Sequence, residues 1–254
     1  MLWYKSWLET RWRFLIGLGL LLILAAGTIF DYLAVVKLLP LARTVDVSGP
    51  MGQAINEAIE VQSTYRGFVW WHWFRQNLTQ LWTLFAVLLG SGSVLSTASG
   101  GALFTLSLPA SRNRLLGVRA ATSLAELLVL AFVPSLLIPL LSPAIGQGYD
   151  LIDVLIHGAC VFIAGAVLFG VAFLLSTVFD DVWRPLLITC ALAVLLAMGE
   201  QVVRDVAPYG LFRVMTGETY FRSGQVPWAG LLASGAVATA LLYGAVLNFA
   251  RRDF

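Results

Sequence analysis

The sequence predicts an all-α, polytopic membrane protein, and three observations carry that expectation. Apolar residues make up 59% of the 254-residue chain and charged residues only 12%, with a mean hydropathy of +0.84. An ordinary soluble domain carries about 25% charged residues, so this chain lacks the polar surface to cover itself in water. Six runs reach the roughly 20 apolar residues that a helix needs to cross a bilayer, and most charges and tryptophans fall between or beside them.

The N-terminal MLWYKSWLETRWRF comes first. On a helical wheel Lys5, Ser6, Glu9, Thr10 and Arg13 share one face, and Trp3, Trp7, Trp12, Phe14 and Leu15 cover the other. Lys5–Glu9 and Glu9–Arg13 stand at i,i+4. The pattern predicts an amphipathic helix lying in the inner interface, with Arg11 close enough to a boundary to snorkel. The stretch is too long and too aromatic for a secretory leader, and no cleavage site follows it, so the first span is expected to be retained.

The predicted spans are 14–37, 77–98, 118–141, 152–178, 183–200 and 228–249. Between the first two lies the longest loop, with SGPMG (Ser48–Gly52) and QAINEAIEVQ, which suits one or two surface helical turns. The run FVWWHWF (Phe68–Phe74) then reads as an aromatic belt at the outer boundary, with an amphiphile entry site as the alternative. Trp228 joins that outer belt, and Trp3, Trp7, Trp12 and Trp183 form the inner one. The third span contains Pro134 and Pro139, which remove backbone donors and bend a helix. It also contains Glu126, an intramembrane carboxylate of the kind that marks function by default. A tie to a neighbouring span and a transport or proton role both remain open for it.

At the start of the fourth span Asp153 and His157 are spaced for a local i,i+4 pair. Gly230, Ser234 and Ala238, and likewise Ala166 and Gly170, form small-residue stripes for close helix packing, within the chain or across a dimer seam. Cys160 and Cys190 lie in apolar runs and read as packing residues. The 201–227 loop is expected to fold against the membrane, and no loop is large enough for an independent catalytic domain.

Charge orients the spans. The N-terminus, the 99–117 loop with Arg119, the 179–184 turn and the C-terminus hold nine basic residues against four acidic ones. The opposite loops hold seven basic and nine acidic residues over much more chain. The positive-inside rule therefore predicts both termini and the 99–117 loop in the cytoplasm. A net charge of +2 gives no reason to expect nucleic acid. No catalytic constellation is visible, and the only lysines, Lys5 and Lys37, lie outside any phosphate-cradling loop.

GALFTLSLPASRNRLLGVRA (Gly101–Ala120) resembles the cytoplasmic loop between the second and third spans of ATP-binding-cassette (ABC) transporter permeases of the type-2 export family. Those proteins commonly carry a Leu-Ser-Leu-Pro-x-Ser-Arg run there. The N-terminal MLWYKSWLETRWRF, the six predicted spans and the Arg-Arg-Asp-Phe end extend the resemblance over essentially the whole chain. The departure is SGSVLSTASGGALF (Ser91–Phe104), which lacks the acidic residue that many members have just upstream.

The resemblance implies a permease in a bacterial inner membrane, paired with a second copy or homologue and with a cytoplasmic ABC ATPase that binds ATP and Mg. The chain itself is expected to hold no cofactor and no metal. Coupling to the ATPase would fall to Leu106, Leu108, Pro109, Arg112, Arg114 and Leu115, with Leu116 on the same short helix. Pro109 suits the first turn of that helix, and Ser107 or Ser111 suits its cap. Anchoring of topology and contact with anionic lipid are the alternatives for these arginines. The competing functions are a secondary transporter using Glu126 and a non-transport membrane assembly factor.

Overall fold

The computed structural model describes residues 2–42, 50–92, 112–179, 181–202 and 210–251, and the side chains within them except those of 39–42, 50–55 and 112–113. The described residues are almost wholly helical. The helices are α1 (Leu2–Ala42), α2 (Pro50–Gln62), α3 (Tyr65–Val69), α4 (Thr79–Gly90), α5 (Arg112–Leu141), α6 (Leu151–Val178), α7 (Trp183–Val202), α8 (Leu211–Met215), α9 (Glu218–Ser223) and α10 (Trp228–Ala250). A π-helical segment, Trp70–Leu78, joins α3 to α4. A 3-10 turn, Ser142–Ile145, follows α5.

Among the described residues five helices are long and apolar enough to cross a membrane: Leu2–Leu38, Arg114–Ile145, Leu151–Val178, Trp183–Val202 and Trp228–Ala250. The predicted span 77–98 differs. Its described part is α4 and the end of the π-helical segment, and helix runs back without a gap to Tyr65.

The N-terminal stretch is not a separate helix in the structure. It forms the first turns of the 41-residue α1. Of the polar face on the wheel, Ser6 and Thr10 are buried and Glu9 is exposed, and Trp3, Trp7 and Trp12 of the other face are exposed. The two hydroxyls thus face the bundle and the three indole rings face outward, as a lipid-facing surface allows.

α6 is the central helix. Its most extensive contact is with α10, and it also packs on α4, α5, α7 and α8. The stripe Gly230, Ser234 and Ala238 is buried within the chain. A Cβ at Gly230 would clash with Val214, and one at Gly170 would lie 3.1 Å from Leu241 Cβ. The small residues therefore let α10 approach α6 and α8 within this chain.

α5 is stitched to the 65–90 helix through side chains. Trp73 Nε1 donates to Ser135 Oγ at 3.1 Å, Trp82 Nε1 donates to the Leu127 carbonyl at 2.9 Å, and the Tyr65 and Ser142 hydroxyls are 2.6 Å apart. Ser135 Oγ also donates back to the Ala131 carbonyl at 2.8 Å, on the turn before Pro134 and Pro139. These serines hold the proline-containing helix against its neighbour.

Candidate functional site

The helix ends fall into two groups. At one end Arg13 Nη1 donates to the Leu88 carbonyl at 3.0 Å, Gly90 packs on Ala172, and Asn248 Nδ2 donates to Thr177 Oγ1 at 3.0 Å. At the other end Tyr65 meets Ser142, Arg66 meets Asp153, and Tyr220 donates to Asp153 Oδ1 at 2.8 Å.

The second group contains the aromatic run, and it overturns the belt expectation. Phe68, Trp70, Trp73 and Phe74 are buried, whereas Trp12, Trp183 and Trp228 are 65%, 71% and 67% exposed. Trp70 Nε1 donates to the Thr216 carbonyl at 3.1 Å, and its ring stacks on Phe221 with centroids 4.2 Å apart. A lipid-facing belt leaves the rings outside. Here the indole N–H groups of buried Trp70 and Trp73 both have protein partners, which is what burial of tryptophan demands.

Asp153 and His157 do not form a side-chain pair. The Asp153 carboxylate turns to Arg66, at 2.6 Å from Nε and 3.1 Å from Nη2, and to Tyr220. His157 Nδ1 instead donates to the Asp153 backbone carbonyl at 2.7 Å. A bidentate guanidinium and a phenol offer the carboxylate more than one imidazole N–H would. Burial raises the Tyr149 hydroxyl well above the ordinary phenol range, so Tyr149 stays neutral beside this cluster.

Beside the aromatic core lies a cavity of about 730 Å³. One wall is Arg75, Thr79, Gln80 and Thr83, one helical face running from the π-helical segment into α4. The opposite wall is Ala193, Val194, Ala197 and Met198 of α7, with Glu200 and Gln201 at its end. Phe212, Arg213, Thr216 and Glu218 close a third side. The cavity is thus charged and amide-rich in one part and apolar along α7.

Its charged groups are held in place. The Arg75 guanidinium carbon lies 4.1 Å from the centroid of the Trp71 ring and 5.6 Å from that of Trp70, within cation–π range. Glu200 accepts from the Phe212 N–H at 3.0 Å and the Arg213 N–H at 3.3 Å, capping α8 with the charge its N-terminus favours. Glu218 pairs with Arg213 and with Arg222, which reaches Glu57 on α2 at 2.6 Å. The Glu57 carboxylate raises the Arg222 pKa above its ordinary value. π-helical turns concentrate at functional sites, and this one sets Arg75 into the cavity.

Of the residues singled out in the sequence, Leu106, Leu108 and Pro109 lie outside the described residues. Arg112 opens α5, with its side chain also outside the description, and Arg114 is exposed with Leu115 half-buried beside it. The expected short helix is the first turns of the long α5. Leu116 faces inward and is fully buried, so it is not presented to a partner. Glu126 is buried, its Oε1 is 2.5 Å from Thr10 Oγ1, and its Oε2 has no hydrogen-bond partner among the described residues. Cys160 is buried, and both cysteines are free. Among the described residues no group of three or more His, Cys, Asp or Glu side chains is placed to hold a metal ion.

Arg75 and Glu200 were not singled out from sequence as site residues. Their signal was position, since each ionisable group borders a span. No family model, no curated protein and no solved structure matches the chain.

Proposed function

We propose that the chain is the membrane-spanning permease subunit of an ATP-driven exporter, moving an amphiphilic substrate outward or from one leaflet to the other. The observation that carries this reading is the cavity between Arg75–Thr83 and α7. Its apolar wall suits an alkyl or aromatic body, and its charged part suits a polar head. α7 is suited to move. It packs on α6, α4 and α8, and Leu187, Leu195, Met198 and Val202 are exposed along it. Displacing α7 from α4 opens the cavity, and bringing it back closes it. The exposed apolar positions leave a face for lipid or for a second permease copy.

ATP and Mg belong to a separate cytoplasmic subunit in this scheme, which docks on the 103–119 stretch. That part rests on the resemblance of Gly101–Ala120 and on the lack of a phosphate-cradling lysine loop in the sequence. Support for six spans with both ends in the cytoplasm comes from the contacts that gather the helix ends into two groups, together with the excess of positive charge around one of them. A bacterial inner membrane fits the same resemblance.

The cavity is tested with the chain and its ATPase subunit reconstituted in liposomes. Amphiphiles are expected to stimulate hydrolysis, and Arg75→Gln is expected to raise the half-maximal concentration of an anionic amphiphile about tenfold. An unchanged dose response in Arg75→Gln removes the cavity from the mechanism. A secondary transporter is the second reading, on one observation: the Glu126 carboxylate is buried with an oxygen that no described residue engages.

A further inference from the structure

The end of the bundle opposite the cavity gathers Arg11, Arg13 and Arg119, none of them among the six residues assigned to coupling. Arg13 on α1 and Arg119 on α5 converge on Gly92, two residues beyond α4. A Cβ at Gly92 would collide with Arg119 Nη2 and lie 3.6 Å from Arg13 Nη1. Arg13 spends one N–H on the Leu88 carbonyl, in the last turn of α4, where the helix dipole is negative. Arg119 Nε is buried without a hydrogen-bond partner among the described residues, and so is Arg11 Nε.

Two guanidinium groups held this close repel each other unless an anion lies between or beside them. Among the described residues the carboxylate charge that acts on Arg119 is that of exposed Glu9, set against the guanidinium groups of Arg13 and Arg119. No ion pair among the described residues joins Arg11, Arg13 or Arg119 to a carboxylate. From Gly92 through Ala125 the sequence has no acidic residue, so the segment leading away from the cluster carries none. Glu9 is exposed one turn before Arg13 and makes no ion pair with it.

The surroundings give the depth. Trp3, Trp7 and Trp12 are exposed along the same part of α1, and the Arg11 guanidinium carbon is 5.6 Å from the centroid of the Trp12 ring. Exposed tryptophans beside snorkelling arginines mark the headgroup level of a bilayer. Guanidinium groups bind phosphate oxygens in pairs, through a planar fork.

We propose that Arg13 and Arg119, with Arg11 at the margin, bind a phosphate group, and that its source is the phosphodiester of an anionic phospholipid. The site ties α1, the end of α4 and the start of α5 to one lipid headgroup. A net anionic headgroup is preferred because Arg13 and Arg119, with Arg11 at the margin, outnumber Glu9 and leave the cluster net positive. The proposal needs the chain to lie in a membrane; Arg119 also ends the 103–119 stretch proposed for docking, and the test, run on the chain without an ATPase, reads lipid binding alone.

The test uses the purified full chain, delipidated in a neutral detergent and examined by native mass spectrometry and thermal unfolding. Phosphatidylglycerol, phosphatidylcholine and inorganic phosphate are titrated separately. Phosphatidylglycerol is expected to bind at one tight site, about tenfold more tightly than phosphatidylcholine, and to raise the unfolding temperature. Arg13→Gln with Arg119→Gln is expected to weaken that binding about tenfold or more. Arg119→Lys keeps the charge but not the fork, and is expected to lose less binding than Arg119→Gln but more than none. If the double variant does not fold, the two lipids compared on the native chain decide the matter. Equal affinity for both lipids, or equal phosphatidylglycerol binding by native chain and double variant, overturns the proposal. Saturation by inorganic phosphate at the concentration that phosphatidylglycerol needs shows a free-anion site and overturns the lipid source.

Discussion

Trp82 lies across Gly165, and that contact shows how single residues set the packing. A Cβ at Gly165 would run into the indole ring, whose Nε1 donates to the Leu127 carbonyl at 2.9 Å. Gly165→Ala is therefore expected to displace the ring, strain that bond and cost about 1–3 kcal/mol, read as a lower midpoint in detergent thermal unfolding. An unchanged midpoint would show that the ring moves aside freely. Glu126 is the other decisive residue. An amide oxygen accepts from Thr10 as a carboxylate does, so Glu126→Gln is expected to keep both fold and transport. Loss of pH-driven transport in folded Glu126→Gln would favour the secondary-transporter reading instead.

At the scale of elements, legibility followed length and apolar periodicity. α5, α6, α7 and α10 lie close to their predicted spans because an apolar run of that length has one stable form in lipid. The 65–90 helix was harder to read. Arg66, His72, Arg75 and Gln76 interrupt its apolar character, so the run looked interfacial although Trp70 and Trp73 are buried. Composition cannot show that the Thr216 carbonyl and Ser135 hydroxyl wait for those indoles, since both partners are distant in sequence. The cavity was illegible for the same reason, being assembled from three separate stretches. The element that awaits test is the run around Leu106, Leu108, Pro109 and Arg112. Replacing Leu108 and Arg112 together (Leu108→Ala, Arg112→Ala) is expected to leave membrane insertion intact, weaken ATPase association and abolish transport. A double variant that still co-purifies with its ATPase and transports at the normal rate would leave the stretch as an anchor.

For the molecule as a whole, topology and energy source are the two claims. With native cysteines replaced, Gly146→Cys is expected to react with an impermeant thiol reagent from outside intact cells, and Asn113→Cys only after the membrane is opened. Labelling of Asn113→Cys in intact cells would reverse the assignment. The purified chain alone is expected neither to bind nor to hydrolyse ATP. The most direct test of the exporter account is isolation of the tagged full chain from its own membrane in mild detergent, with ATPase activity and composition measured on the same peak. The account predicts a stoichiometric second polypeptide carrying a Walker A loop, with vanadate-sensitive hydrolysis that the separated chain lacks. A peak without a nucleotide-binding polypeptide and without hydrolysis, from a preparation that retains the folded chain, would contradict it.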